Sequence, residues 1–395
     1  MNLDRRHVGL DIFLSILTAF LVMFAYKFRL YPSKKQETLL FMHFDLCRFT
    51  YNKLLEKLNN SKKINRGKIQ HSIVELKKEF PELDVVYSKT LQYECYRLFS
   101  NLRSLVQLKR NGRKVGKLRF KGRDWFKTIH YNQSGFKFEQ KTTRYGKLHL
   151  SKIGSIDIRN HRITKGKIKQ VTLKKSAGKW YAILITDTKY QKQKGCGKIG
   201  LDMGVLNFIA DSRGGTVKSP LFLKQSLNKI KQTHKELSRK KKDSCHWQKA
   251  KQHLVQLYEK VTNQRNDFLH KLSTKIVKEN NLICIEDLNI KNMVEKKYWN
   301  VRNFLDCSWA TFARMLECKA ESAGAQLVRV NPQNTSKICS RCGAIHKMPL
   351  NKRMYACGCG LKINRDVNAS RNILAQGLGF VENPNGFVET RSHTL

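Results

Sequence analysis

Apolar positions along this chain change period three times, and each change predicts a new kind of element. Tyr26-Lys27-Phe28-Arg29-Leu30 alternates apolar with basic residues, a period of two that predicts a strand stopped by Pro32. From Lys34 to about Phe99 the period lengthens to three and four. Leu39, Leu40, Phe44, Phe49, Leu54, Leu55 and Leu58 form one stripe, and Leu91, Cys95, Leu98, Leu102 and Leu105 a second, as packed helices require. Tyr87, Tyr93 and Tyr96 in this helical module fit core or interface places better than platforms for nucleic-acid bases.

Alternation returns between Leu118 and Thr186, punctuated by glycine. Leu118-Arg119-Phe120-Lys121, Phe136–Phe138, Lys147–Leu150, Ile168–Leu173 and Trp180–Ile185 read as short strands of a small β-barrel. The Tyr26–Leu30 strand would complete it, with the helical module as an insertion. Arg119, Lys121, Arg123 and Lys127 are interleaved here with Phe120 and Trp125. A basic face beside stackable rings suits RNA or single-stranded DNA. A sheet with one buried face and lysines merely outside explains any single strand equally well.

After Gly195 strands and helices interleave. Lys198–Met203 and Asn207–Asp211 read as strands and Arg213-Gly214-Gly215 as a hairpin turn. A long basic helical stretch, Ser226–Glu279, is broken near Asp243-Ser244. Asn281–Ile285 is an apolar strand, Phe304–Ala323 a helix, Gln326–Val330 a strand and Asp366–Ala375 a final helix. That order is expected of an RNase H-like α/β domain. No period continues beyond Gly379, and there are no internal repeats.

The amino-terminal segment Val8–Tyr26 is largely apolar, interrupted by Asp11, Ser15 and Thr18 and preceded by Arg5, Arg6 and His7. It is barely long enough to span a bilayer, and no small-residue cleavage site follows it. A membrane anchor is one reading. The favoured one makes residues 1–22 an upstream extension, with Met23 as the start.

Charge changes the picture most among the bulk properties. Lys and Arg number 77 against 30 Asp and Glu, a formal net charge of +47. Solubility needs far less, and a polyanionic partner accounts for it through counterion release. The basic residues are spread along the chain and not gathered on one amphipathic helix, which argues against a membrane surface. Arg239, Lys240, Lys241 and Lys242 form a run that reads as a solvated face or as phosphate contacts. Of 11 cysteines, seven are scattered singly and four cluster between Cys339 and Cys359. An odd total with one tight cluster indicates reduced thiols and a metal site.

Two constellations carry chemistry. Asp202, Glu286 and Asp366 stand in three short motifs, Ile199–Gly204, Ile283–Leu288 and Asn364–Ala369. An Asp within the first strand, a Glu at the end of a later one and an Asp opening the last helix can converge at one sheet edge. Two-metal phosphodiester hydrolysis needs such carboxylates, holding two Mg²⁺ roughly 3.5–4 Å apart. Singly, each has a plainer explanation as a turn or cap residue; together, against so basic a background, they predict a catalytic site. Asp287 could support Glu286 or merely cap a turn. The second constellation, Cys339-Ser340-Arg341-Cys342 followed by Cys357-Gly358-Cys359, predicts a structural Zn²⁺ in a closed four-sulfur shell, although the second pair is closer than usual. His346 could replace one thiolate but reads better as a surface residue.

These motifs resemble the TnpB (OrfB) family of transposon-encoded proteins, relatives of compact type V CRISPR effectors. The likeness covers Met23 to about Leu378. It is most specific over Val330–Gly343, Cys357–Leu361 and Asp366–Ile373, and Tyr26–Pro32 matches the family's usual start. Asn364 departs from the pattern, since many relatives carry Asp there. The resemblance implies a multidomain α+β and α/β chain. Residues 23–33 and 118–195 would form a wedge-type β-barrel, 34–117 an inserted helical recognition module, 196–332 and 361–378 a RuvC nuclease domain, and 333–360 an inserted zinc ribbon. Residues 1–22 would be the extension and 379–395 a flexible tail. It further implies an RNA-guided DNA endonuclease with Asp202, Glu286 and Asp366 as the acids, a guide RNA from the transposon end and double-stranded target DNA as partners, a cytoplasmic place at the nucleoid, and no stable membrane association. A catalytically idle DNA- or RNA-binding accessory of transposition is the alternative.

Overall fold

The structure is a computed structural model and describes residues 21–382, apart from 62–63, 141, 143, 190–194, 290–292, 294–305 and 350–351. Residues 1–20 and 383–395, which bear most of the expected extension, anchor and tail, lie outside the described residues. Among the described residues no helix is long and apolar enough to cross a membrane. The chain divides into two compact units, Met1–Lys189 and Tyr190–Leu395.

In the first unit, β1 (Leu21–Tyr31) leads into α1 (Lys34–Asn60), α2 (Arg66–Glu79) and α3 (Ser88–Arg110). Ser33 opens α1 with a capping box: its Oγ accepts from Gln36 N and the Gln36 side chain accepts from Ser33 N. The strands β2 (Thr128–Asn132), β3 (Phe136–Gln140), β4 (Tyr145–Leu150), β5 (Gly154–Arg159), β6 (Lys167–Ser176) and β7 (Lys179–Lys189) follow. They form one antiparallel sheet with β1 at its centre, in the order β2-β6-β7-β1-β5-β4-β3. The expected closed barrel is corrected here. The edge strands β2 and β3 are joined through the turn at Gln133–Gly135 and do not pair with each other, so the sheet stays open.

Leu118–Lys121 is not a strand. The Asn52 side chain on α1 accepts from Lys121 N at 2.8 Å and donates to Lys121 O at 3.1 Å, which satisfies that backbone without a ladder. Arg123–Trp125 is a short 3₁₀ turn. The helical stripes and the inward sheet positions share one core, in which Leu40, Tyr51, Leu54, Leu91, Cys95 and Leu98 join Leu148, Leu150, Ile156 and Ile158.

The second unit begins with β8 (Gly197–Asp202), β9 (Asn207–Asp211) and β10 (Thr216–Lys218). The Asp211 carboxylate closes the β9–β10 hairpin, accepting from Arg213 N and Gly215 N at 2.9 Å each. Helices α4 (Phe222–Ser238) and α5 (Cys245–Glu279) are separated where the sequence predicts a break. Asp243 is left-handed at φ 66°, and the Ser244 hydroxyl caps α5 by accepting from Trp247 N. Then come β11 (Asn280–Glu286), α6 (Trp309–Ala323), β12 (Gln326–Val330), the hairpin β13 (Met354–Ala356) and β14 (Lys362–Asn364), and α7 (Arg365–Glu382). Helix α7 therefore runs past Gly379, where the periodic signal fades.

The five-stranded sheet has the order β10-β9-β8-β11-β12, with β8, β11 and β12 mutually parallel and β9 and β10 antiparallel. Parallel neighbours need crossovers. Helices α4 and α5 supply the first and α6 the second. Period two then sorts the central strands. Ile199, Leu201, Ile283 and Ile285 face the core made with α5 and α6, whereas Leu282 and Cys284 pack with Val330 and Ile373 of α7.

Candidate functional site

The same alternation decides where two of the predicted acids stand. Gly200 faces α7, since a Cβ there would lie 2.2 Å from Ser370 O, and Asp202 is two residues further along the same face. Cys284 also faces α7, and Glu286 is two residues beyond it. Because Leu201 pairs with Ile285 in register, Asp202 and Glu286 come side by side at the carboxyl ends of adjacent parallel strands. Ligands bind at that end of such sheets.

Asp366 comes to the same place from α7, which packs against β8 and β11. Asn364 caps that helix: its Oδ1 accepts from Asp366 N at 2.8 Å and from Val367 N at 3.4 Å. Asparagine serves this role as well as aspartate, so the departure from the family pattern leaves the helix start intact. The cap also frees the Asp366 carboxylate, whose Oδ2 accepts from Asn207 Nδ2 at 3.3 Å.

The charges of the three acids interact. Burial, together with the negative charges of Glu286 and Asp366, pushes the Asp202 carboxyl up to about 8, with Arg365 pulling the other way. Burial also raises Glu286, which is 8% exposed, while the Thr335 hydroxyl holds it down by donating to Oε1 at 2.5 Å. Asp287 is exposed, 3.8 Å from Arg329, and stands apart from this group. Crowded, oxygen-only donors with an excess of negative charge suit a hard divalent cation such as Mg²⁺.

The four cysteines also come together. The Sγ atoms of Cys339, Cys342, Cys357 and Cys359 all lie within 4.8 Å of one another, the dimensions of a tetrahedral four-sulfur shell. The closely spaced pair fits because Cys357–Gly360 makes the β13–β14 turn. Gly360 N donates to Cys357 O and Gly360 adopts φ 83°, a conformation glycine tolerates without strain. Burial raises the Cys339 thiol, but the backbone N–H groups of Cys342 and Arg341 and the neighbouring thiols bring it to about 7. His346 is partly exposed, yet its Nε2 is 3.2 Å from Cys357 Sγ, closer to the cluster than a free surface residue would be.

The predicted nucleic-acid contacts fall in two groups. In the first unit, Arg119, Arg123, Trp125 and Lys127 are exposed, Trp125 at 84%. Arg123 pairs with Asp45 at 2.9 Å, and Lys121 lies partly buried 5.9 Å above the Tyr51 ring. Tyr87 stacks on Tyr131 and Tyr93 on His130, so these two rings serve packing. In the second unit, Arg239, Lys240, Lys241 and Lys242 are exposed in the α4–α5 connection. Sequence reasoning missed Thr335 and Asn207 as partners of the acids. Both are neutral and periodicity does not distinguish them, so only the fold places them there.

Three family models match the chain: an OrfB model described as "Probable transposase" over residues 181–297, a "Cas12f1-like, TNB domain" over 309–373 and a "Helix-turn-helix domain" over 22–66. A Streptomyces pristinaespiralis protein proposed to be an RNA-guided DNA endonuclease is 32% identical over 368 residues, covering 90% of this chain and 89% of its own. The InsQ protein of Escherichia coli K12, proposed to be the same kind of enzyme, is 32% identical over 385 residues, covering 89% and 92%. Among solved structures, Cas12f1 in a complex with single guide RNA and target DNA superposes with a TM-score of 0.59 at 14% identity, covering 89% of this chain and 98% of that one. That likeness is one of fold.

Proposed function

This chain belongs to the TnpB (OrfB) family of transposon-encoded proteins, and from that premise we propose that it is an RNA-guided DNA endonuclease. The carrying observation is the meeting of Asp202, Glu286 and Asp366: the charges of Glu286 and Asp366 both raise the Asp202 carboxyl although the three come from distant parts of the chain. On this reading the five-stranded unit is a RuvC (RNase H-like) nuclease domain. The four-cysteine segment is its zinc ribbon, and the first unit is the wedge and recognition part. Asp202, Glu286 and Asp366 would hold Mg²⁺, which would supply Lewis acidity toward the attacking water and the leaving oxygen.

The chain's own part is positioning. Asp202 and Glu286 project from strand ends fixed by parallel pairing, and the Asn364 cap holds Asp366 at a helix start where its carboxylate is free to turn inward. Glu286 is buried and Asp202 and Asp366 are half-buried, which leaves their charge to be neutralised by the cations. Cys339, Cys342, Cys357 and Cys359 would hold a structural Zn²⁺ with no open position. The partners are a guide RNA from the transposon end and a double-stranded target. Arg119, Lys121, Arg123, Trp125 and Lys127 and the Arg239–Lys242 run are offered as phosphate and base contacts.

The test is to purify the native chain, sequence the RNA that accompanies it, and present a matching DNA target with Mg²⁺. The expected result is one defined RNA species and cleavage of the matched target only. Glu286→Gln should keep the RNA and lose at least about 100-fold in cleavage rate. Recovery of no specific RNA, or a glutamine variant as active as wild type, would overturn the reading.

A further inference from the structure

We propose that Thr335 is a positioning residue that fixes Glu286 to the segment bearing the cysteine cluster; the inference rests on the nuclease reading above. Thr335 is 3% exposed, and its hydroxyl lies 2.5 Å from Glu286 Oε1 and 3.2 Å from Pro332 O. A hydroxyl has one proton to give. The Pro332 carbonyl alone would satisfy it, yet the shorter contact, in the range of charge-assisted bonds, is to the carboxylate. One Glu286 oxygen is thereby held and the other left for a cation.

The hold on Thr335 comes in turn from α7. Asn372 Nδ2 donates to Thr335 O and to Ile338 O at 2.7 Å each. Asn368, one turn earlier, donates to Ile338 O at 2.7 Å and accepts from Ser340 N at 3.0 Å. Ser340 lies between two cluster cysteines, Cys339 and Cys342. Helix α7 thus presents Asp366 from its first turn and pins the chain from Thr335 to Ser340 from its second and third. Asn368 and Asn372 are 0% and 6% exposed, so these amides have lost their water and depend on those partners. The acids and the cysteine segment share one rigid frame, and Thr335 is its contact with Glu286.

The test uses the full chain with its accompanying RNA as wild type, Thr335→Val and Thr335→Ser. Valine keeps the volume and loses the hydroxyl; serine does the reverse. Mn²⁺ binding is measured by titration calorimetry, the relevant site being the part of the signal that Asp202→Asn removes. Thr335→Val should weaken that site about tenfold and raise the Mg²⁺ concentration for half-maximal cleavage in step. Thr335→Ser should stay within about twofold of wild type. In a Glu286→Gln background, Thr335→Val should change Mn²⁺ binding no further.

Zinc content and thermal unfolding report whether each variant is folded. If valine loses the zinc, serine alone decides: wild-type behaviour there supports the hydroxyl's role, and an equal loss makes Thr335 a packing residue and overturns it. A folded valine variant with unchanged affinity overturns it too. Absence from the wild type of both cleavage and an Mn²⁺ site removable by Asp202→Asn would instead sink the nuclease reading.

Discussion

Glu94 and His43 show how much a single buried charge can weigh in this chain. Glu94 is wholly buried on α3 with neither carboxylate oxygen hydrogen-bonded, and burial pushes it up to about 8 against the pull of Arg97. Burial holds His43 down at about 4; His130 is at about 3, through burial and the nearby Arg97 charge. Glu94 binds its proton more tightly when folded, so its contribution is complete below its ordinary range and lost as pH climbs toward 8. The histidines bind theirs less tightly, and their contribution is lost as pH falls through 6.5. Urea unfolding should show wild type losing about 2 kcal/mol more than Glu94→Gln between pH 6.5 and 8. Parallel curves would mean that folding does not sense this carboxyl. The three site acids were legible in the sequence because each ends a strand or opens a helix. Glu94, His43 and Thr335 were not, since the first two sit at helix positions where an apolar residue would serve and the third lacks charge or period.

At the scale of elements, α7 is the part on which the acids depend, and two glycines decide how near it comes. A Cβ at Gly200 would lie 2.2 Å from Ser370 O and 2.7 Å from Leu374 N, and one at Gly377 would lie 2.2 Å from Cys284 Sγ. Gly200→Ala should therefore push α7 from β8, costing about 1–3 kcal/mol in denaturant unfolding, with a further loss of cleavage as Asp366 moves from Asp202. Gly116→Ala, where nothing lies within 4 Å, is the control and should be neutral. A Gly200→Ala protein as stable and active as wild type would contradict the close packing. Periodicity revealed the helices and most strands, including the break at Asp243-Ser244. It failed at Leu118–Lys121, where alternation is present but Asn52 provides the backbone partners. It also missed β5, whose Ile156 and Ile158 alternate with Ser155, Asp157 and Arg159 over a stretch opened by a glycine.

For the whole molecule, net charge sets the terms of binding. A surplus of +47 engaging six to ten phosphates should weaken nucleic-acid affinity by about 10³–10⁵ between 50 and 200 mM salt, read by filter binding as a steep log–log slope. A flat response would mean that phosphate contact contributes little. Sequence reading separated a helical module from a barrel, yet both line a single core, because a stripe announces that a face is covered without saying by what. Open edges were equally illegible, being a matter of long-range pairing. The central place of β1 has a consequence for synthesis. Arg29 donates to Trp180 O, a partner 151 positions later. At about 5–20 residues per second, the ribosome leaves that strand without this partner for roughly 8 to 30 seconds. Helices α1 to α3 emerge in the interval and can gather locally. The nascent chain therefore relies on them to shelter Phe28 and Leu30 until the last strand of the unit is made.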